Sequence, residues 1–486
     1  MSNPTPVSVA LGDGIGPEVT RAALQIVAAA GANIAPEEVE LGERVYRRGI
    51  SSGIASAAWE SIRRTRVLLK GPLTTPQGSG LKSVNATLRK ALGLFANVRP
   101  AVSMAPFVST LHPKLDVIVV RENEEDLYAG IEHRQTDEVA QCLKLVSRPG
   151  CERVIRYAFA LARAHGRRKV TCMTKDNIMK ITDGLFSSVF REVARQFPDV
   201  ISEHLIVDIG AARLAESPER FDVIVTLNLY GDILSDIAAQ LTGSAGMSGS
   251  ANIGSQAALF EAIHGSAPDI AGRGVANPSA MILSAVMMLS HIGQPSVATA
   301  IHNAWLCAVE EGCHTADLQQ SDASQRPLRT DAFAAAVISR LGRKPATLRP
   351  VEYRDYASLA SLPADPYQRR PAQRKVLVGA DLFVHFRGSP AELAPRLHRV
   401  GTDRLRLTLI TNRGVKVWPD GMPETFCTDH YRCRFQASTG TDPAAIDQGD
   451  LIELMGRLHR EGLDFIKAET LCTFDGVPGY AVGQAQ

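Results

Sequence analysis

The 486-residue chain has no charge excess, no paired cysteines and no long apolar run, and each absence removes a class of function. Its 53 Lys and Arg against 51 Asp and Glu leave a net charge of +2, so nothing argues for nucleic acid or an anionic membrane as partner. The 8 cysteines are scattered, with no C-x-x-C and no metal-ligand pairing with His, so reduced thiols and a cytoplasmic setting are expected. The longest apolar patch, Met281 to Leu289, is too short to cross a bilayer. The first residues, MSNPTPVSVALGDG, carry neither a signal peptide's charged and apolar regions nor an Arg-rich transit pattern. A Rossmann phosphate loop is also missing: GDGIGPE (12–18) is glycine-rich but is not G-x-G-x-x-G followed by an acid.

What the chain does contain is alternation. Strand-like runs at VSVAL (7–11), RVLLKGPL (66–73), LDVIVVREN (115–123), RKVTCMTKDN (168–177) and FDVIVTLN (221–228) are separated by helix-like segments such as 17–30 and 151–165. That order predicts an α/β fold with a largely parallel sheet, whose ligands sit at the strands' C-terminal ends. From about Leu341 to Lys375 prolines and charges lack periodicity and read as a linker. Beyond it the order βαββαβ predicts a small ferredoxin-like domain over 376–486.

The chemistry-bearing residues gather where strands end. After FDVIVTLN, Gly231 marks a break, and Ile233, Ile237 and Leu241 fall on one helical stripe. Asp232 and Asp236 stand four apart, so both carboxylates leave the same face of the first helical turn. A helix start tolerates acids, but a hard divalent cation such as Mg²⁺ or Mn²⁺ accounts better for two like charges so placed. Ser83, Asn85 and Arg89 share a helix-like run after a Thr/Pro/Gly loop, and Arg99 and Arg121 lie by the ends of apolar runs. Singly each arginine reads as a structural ion pair; together they suit an acidic substrate, because the guanidinium fork matches a carboxylate. Tyr128, Lys175 and Asp208 also flank strand ends. Burial and nearby cations could lower the Lys175 pKa enough for acid–base work. Residues 249–280, rich in small residues, read as a long loop that could lie against a flat polar ligand, with His264 in it.

On GDGIGPE, LTTPQGSGLKSVNATLRK, LFANVRP, RENEEDLYAGIEH, NLYGDILSD and HGSAPDIAGRGVANP, the chain from about residue 7 to 340 resembles the β-decarboxylating dehydrogenases. This family acts on isocitrate, 3-isopropylmalate and homoisocitrate. The C-terminal extension looks like that of the larger bacterial isocitrate dehydrogenases.

The resemblance implies a non-Rossmann α/β fold in three blocks before the 343–375 linker. These are residues 1–99 and 222–342 as a large domain and 100–221 as a small domain with dimer contacts. It implies oxidative decarboxylation of isocitrate to 2-oxoglutarate, a tricarboxylic acid cycle step, by a homodimer that shares its sites. Asp232 and Asp236 would hold the metal with Asp208 of the neighbouring subunit. Arg89, Arg99 and Arg121 would clamp carboxylates, while Ser83 and Asn85 would meet the γ-carboxylate that isopropylmalate lacks. Lys175, again from the neighbour, would assist proton removal and Tyr128 would reprotonate the enolate. Thr74, His264, Gly265, Ser266, Ala267, Pro268, Asp269, Ile270 and Asn277 would line the cofactor site. NADP-users of the family carry Lys-Tyr where Asp269 and Ile270 stand, so NAD is expected, although Arg273 could reach a phosphate. Departures are Glu124, often Thr, and Lys82, often Arg. The alternatives are homoisocitrate or isopropylmalate as substrate, or a regulatory subunit without activity. For the C-terminal domain, subunit assembly is expected over RNA binding, since NRGVKVWPD offers only Trp418 as a stacking aromatic.

Overall fold

The computed structural model describes residues 3–75, 83–318, 326–354, 367–438, 440–442 and 445–482; Lys82 and residues 355–366 of the expected linker lie outside these. Two compact units are present, Met1–Ala129 with Lys144–Tyr367, and Gly130–Leu143 with Gln368–Gln486.

The first unit is built on a ten-stranded sheet. Its spatial order is Ile34–Glu38, Thr5–Ala10, Val67–Lys70, Ala258–Ala262, Gly249–Ile253, Ala96–Val102, Asp116–Glu122, Val223–Thr226, Lys169–Thr174, Ile201–Ile206. The outer pairs are parallel as expected, but 258–262/249–253, 249–253/96–102 and 96–102/116–122 are antiparallel. One sheet therefore runs through all three expected blocks. Runs such as Val117–Val120 and Val223–Val225 are fully covered because helices pack on the sheet.

Two local expectations change. The stretch 249–280 is a loop only in its second half. Gly249–Ile253 and Ala258–Ala262 form a hairpin in mid-sheet. Their small residues reflect close approach of the helix Ser279–His291, since a Cβ on Gly249 would lie 2.7 Å from the Ser284 nitrogen. The break after FDVIVT falls at Leu227, not Gly231, and the helix runs Asn228–Leu241. Gly231 lies inside it and lets Arg121 pass, because a Cβ there would stand 2.6 Å from Arg121 Cβ and Cγ. Ile233 on the expected core stripe is half exposed, and Leu234, Ser235, Ala238 and Ala239 are buried instead.

In the second unit the strands Lys375–His385, Leu405–Asn412, His430–Ala437 and Asp464–Phe474 and the helices Pro390–Val400 and Gln448–Arg460 follow the expected βαββαβ order. The sheet order, with Leu405–Asn412, His430–Ala437, Lys375–His385 and Asp464–Phe474 side by side, is ferredoxin-like. Two edge strands, Val415–Trp418 and Val477–Pro478, are additions. The run RLRLTLITNRGVKV is thus two strands, turned at Arg413-Gly414 where both φ angles are positive. The hairpin 132–142 belongs to this unit. The Asp429 nitrogen donates to Glu138 at 2.9 Å and Arg387 pairs with Asp137 at 2.7 Å.

Gly231→Ala should overpack the Arg121 contact and cost about 1–3 kcal/mol, read as a lowered urea midpoint. An unchanged midpoint would show that the helix can shift away at no cost.

Candidate active site

Three arginines converge at one end of the central strands. Arg89 comes from the helix Val84–Ala91, Arg99 from strand Ala96–Val102 and Arg121 from strand Asp116–Glu122. All three are buried. Arg99 Nη1 reaches Asp232 at 3.3 Å, Asp236 at 3.2 Å and Ser235 at 2.8 Å. Arg121 grips Asn228 Oδ1 through Nε at 2.9 Å and Nη2 at 2.7 Å, and pairs with Asp232 through Nη1. Its guanidinium lies 4.8 Å over the Tyr128 ring, whose hydroxyl donates to Asp232.

Burial and the charges of Arg89 and Arg99 push the Arg121 pKa down to about 10, which shows how closely the cations crowd. Burial works to raise the Asp232 carboxyl, but Arg121 and Arg99 outweigh it and hold the group below its ordinary value. Asp236 goes the other way, raised by burial and by Asp232 against the pull of Arg99. Tyr128 is raised by burial and by its bond to Asp232. Among buried polar atoms, Arg89 Nε, Arg99 Nε and Asn85 Oδ1 have no hydrogen-bond partner. Orphan guanidinium donors beside a cationic cluster suit an anionic ligand. Asp232 and Asp236 offer carboxylate oxygens from one face of the helix, with the Asp236 side chain largely open to solvent, so the pair fits a hard divalent metal.

Beneath the cluster lies a carboxylate that sequence reading missed. Glu261 bonds Lys70 Nζ at 2.7 Å, Arg89 at 3.0 Å and Asn252 Nδ2 at 2.9 Å, and Asn252 Oδ1 accepts from Asn97 and Asn123. The signal was present, since Glu261 and Lys70 are single charges inside apolar strand runs. Asn228 and Ser235 were missed as well. They are the helix residues that fix Arg121 and Arg99.

Lys175 and Asp208 stand apart from this group and bond each other at 2.7 Å. The nearest charge to Lys175 is therefore an anion, not the cations expected. The Asp208 carboxyl is lowered chiefly by that hydrogen bond. Among the described residues no group of three or more His, Cys, Asp or Glu side chains could hold a metal within one chain. Ser83 caps its helix, accepting from the Ala86 nitrogen at 3.3 Å, and Glu124 pairs with Arg153 at 3.2 Å.

The residues named for a cofactor surround a separate hollow. His264, Gly265, Ala267, Ile270 and Asn277 line a cavity of about 620 Å³ with Ile15, Gly246 and Asp317, a size suited to a nucleotide. Thr74 Oγ1 meets Ser266 Oγ at 2.7 Å, and the Ile15 nitrogen donates to the Ser266 carbonyl at 2.9 Å. This contact explains GDGIGPE, because a Cβ on Gly14 would stand 2.0 Å from Ser266 O. His264 is lowered by burial and its Nε2 has no partner. Pro268, Asp269 and Arg273 are exposed on the same turn.

Residues 6–337 match the family described as Isocitrate/isopropylmalate dehydrogenase. The chain belongs to that family. Residues 375–486 match the family described as Bacterial isocitrate dehydrogenase, C-terminal domain. Over 487 residues the chain is 48% identical to "Isocitrate dehydrogenase [NADP]" of Rickettsia bellii, covering 100% of both. It is 45% identical to the protein of the same name from Thermus thermophilus, covering 99% of this chain and 96% of that one. The crystal structure of the TT0538 protein, also from Thermus thermophilus, superposes with a TM-score of 0.92 at 44% identity, covering 99% of this chain and 96% of that one.

These relatives overturn the expectation of NAD, since both full-length proteins are named for NADP. The expectation rested on Asp269 and Ile270 standing where NADP-users carry Lys-Tyr, since a carboxylate there faces a 2′-phosphate as like charge against like. Asp269 is exposed, and at about 4 Å in water two unit charges interact by only ~1 kcal/mol, too little to decide the matter.

Glu261→Gln leaves Lys70 and Arg89 buried without an anion and should cost about 3–5 kcal/mol. The folded-state pKa of Glu261 lies below its ordinary value, the pull of Lys70 and Arg89 outweighing the opposing effect of burial. Its stabilisation is therefore present above the ordinary carboxylate range and lost as pH falls through the folded value. Urea titrations from neutral to acid pH should show the difference between native and variant constant at neutral pH and shrinking as pH falls below the ordinary carboxylate range. A difference that is small at neutral pH would contradict the role.

Proposed function

We propose that the chain is an isocitrate dehydrogenase that converts isocitrate to 2-oxoglutarate and CO₂ with NADP as oxidant, and that two copies share each site. The observation that carries this reading is the convergence of Arg99, Arg121 and Tyr128 on the Asp232/Asp236 pair, with the Arg89 charge also felt at Asp232. The three arginines bind and orient the substrate's carboxylates. Ser83 and Asn85 open the helix facing the site and select the carboxylate that isopropylmalate lacks. Tyr128, with its pKa raised, keeps its proton at neutral pH and so suits the donor that reprotonates the enolate carbon. Lys175, oriented by Asp208, would assist removal of the C2 hydroxyl proton. Asp232 and Asp236, with Asp208 from a second copy, would hold a divalent cation, which when bound supplies Lewis-acid stabilisation of oxygen charge. The NADP site is the cavity around His264, with Thr74, Ser266, Asn277 and Arg273 at its edge. Sharing between two copies is supported by the Lys175 and Asp208 side chains, which pair with each other and not with the arginine cluster. Ile209 and Ile233 support it further, since both are half exposed on packed helices.

Initial-rate kinetics test the whole. With Mg²⁺, kcat/KM should be highest for isocitrate among isocitrate, homoisocitrate and 3-isopropylmalate, and higher with NADP than with NAD. A chelator should abolish turnover, and Asp232→Asn should lower kcat by about a hundredfold or more. A preference for isopropylmalate would refute the Ser83/Asn85 assignment, preference for NAD would refute the oxidant, and no turnover at all would favour a regulatory subunit.

A further inference from the structure

A second buried ion cluster lies behind the site, unused by the chemistry above. Lys144 Nζ stands 2.7 Å from Asp183 Oδ1 and 3.5 Å from Asp126 Oδ1, and 4.7 Å over the Tyr230 ring. Asp126 and Asp183 are fully buried, and Asp126 Oδ1 makes no hydrogen bond, so Lys144 is the charge set against it. Each member holds a different piece of the machinery. Asp126 sits two residues before Tyr128 with φ 64°, and its Oδ2 accepts from the Leu229 nitrogen at 2.9 Å, at the start of the helix carrying Asp232 and Asp236. Tyr230 of the same helix donates to Asp183 Oδ2 at 3.1 Å. That same oxygen accepts from the Lys175 backbone nitrogen at 2.7 Å.

We infer that Lys144 is a positioning residue that locks the Tyr128/Asp232 segment and the Lys175 segment of one chain into a single register. The inference rests on the shared-site reading. If each chain keeps Tyr128 and Asp232 for one site and lends Lys175 to the other, the Lys144 cluster is the link between the two sites of a dimer. Without the ammonium, two buried carboxylates face each other uncompensated, and the segments they hold separate. Misplacement on that scale is felt in turnover more than in substrate affinity, because the arginine clamp remains.

The test uses hybrid dimers of the full chain. One subunit carries Tyr128→Phe and the other Lys175→Met, which leaves one intact site per dimer if sites are shared. Lys144→Met is then added to either subunit. The surviving site should lose kcat by about ten- to a hundredfold whichever subunit carries it. KM for isocitrate should change less than about threefold, and Lys144→Arg should restore most of the rate. A loss confined to the subunit lending Lys175, or no loss in a folded hybrid, overturns the link. A hybrid without Lys144→Met that is inactive overturns the shared-site reading instead. Should Lys144→Met not fold, Tyr230→Phe, which removes the hydroxyl's bonds to Asp183 and to Lys144, must give the same two-sided loss. A one-sided or absent loss overturns the inference equally.

Discussion

Burying three guanidiniums at one end of a sheet is the constraint on which the first unit depends. Like charges desolvated together repel, and they persist only if anions and oriented dipoles are supplied at fixed positions. Glu261 with Lys70 underlies Arg89, Ser235 and the two aspartates meet Arg99, and Asn228 with Asp232 meets Arg121. Much of the architecture serves this arrangement. The mid-sheet hairpin carries Glu261 and Asn252, and the helix Asn228–Leu241 delivers four of the groups that hold Arg99 and Arg121. Gly231 is the position where that helix can touch Arg121 closely enough for those bonds to form.

The part of this legible in the sequence was the part written as exceptions to a local pattern. Asp232 and Asp236 stand out because helix physics has no use for both, and Arg99 and Arg121 because apolar strands rarely carry charge. The alternation of strands and helices gave the α/β class, and the C-terminal order gave a ferredoxin-like unit. What stayed hidden was set by contacts distant in the chain. Gly249, Ser250 and Ala251 resemble a loop until the helix Ser279–His291 is laid against them, and three antiparallel pairs at mid-sheet leave no mark on local periodicity. Gly231 looks like a break because its reason, the stem of Arg121, lies more than a hundred residues earlier.

Charge sets the partners of groups that are buried and decides little for groups that are wet. Asp232 and Glu261 act through short distances in a desolvated site, so their partners follow from charge. Asp269 and Arg273 share an exposed turn, where solvent screens both and neither sign dominates. The coenzyme expectation leaned on the second kind of residue, and relatives similar over the whole chain contradict it.

The hairpin 132–142 gives the C-terminal unit an unusual standing. Its Asp137 and Glu138 are held by Arg387 and the Asp429 backbone, although they lie in the middle of the catalytic sequence. The polypeptide enters that unit, leaves it and returns more than two hundred residues later. Such a body is sewn in at two places instead of hung from one thread. Cutting the chain after the linker would strand a β-ribbon with its docking groups bare, so the extension is an integral organ of this enzyme and not an appendage that can be trimmed without consequence.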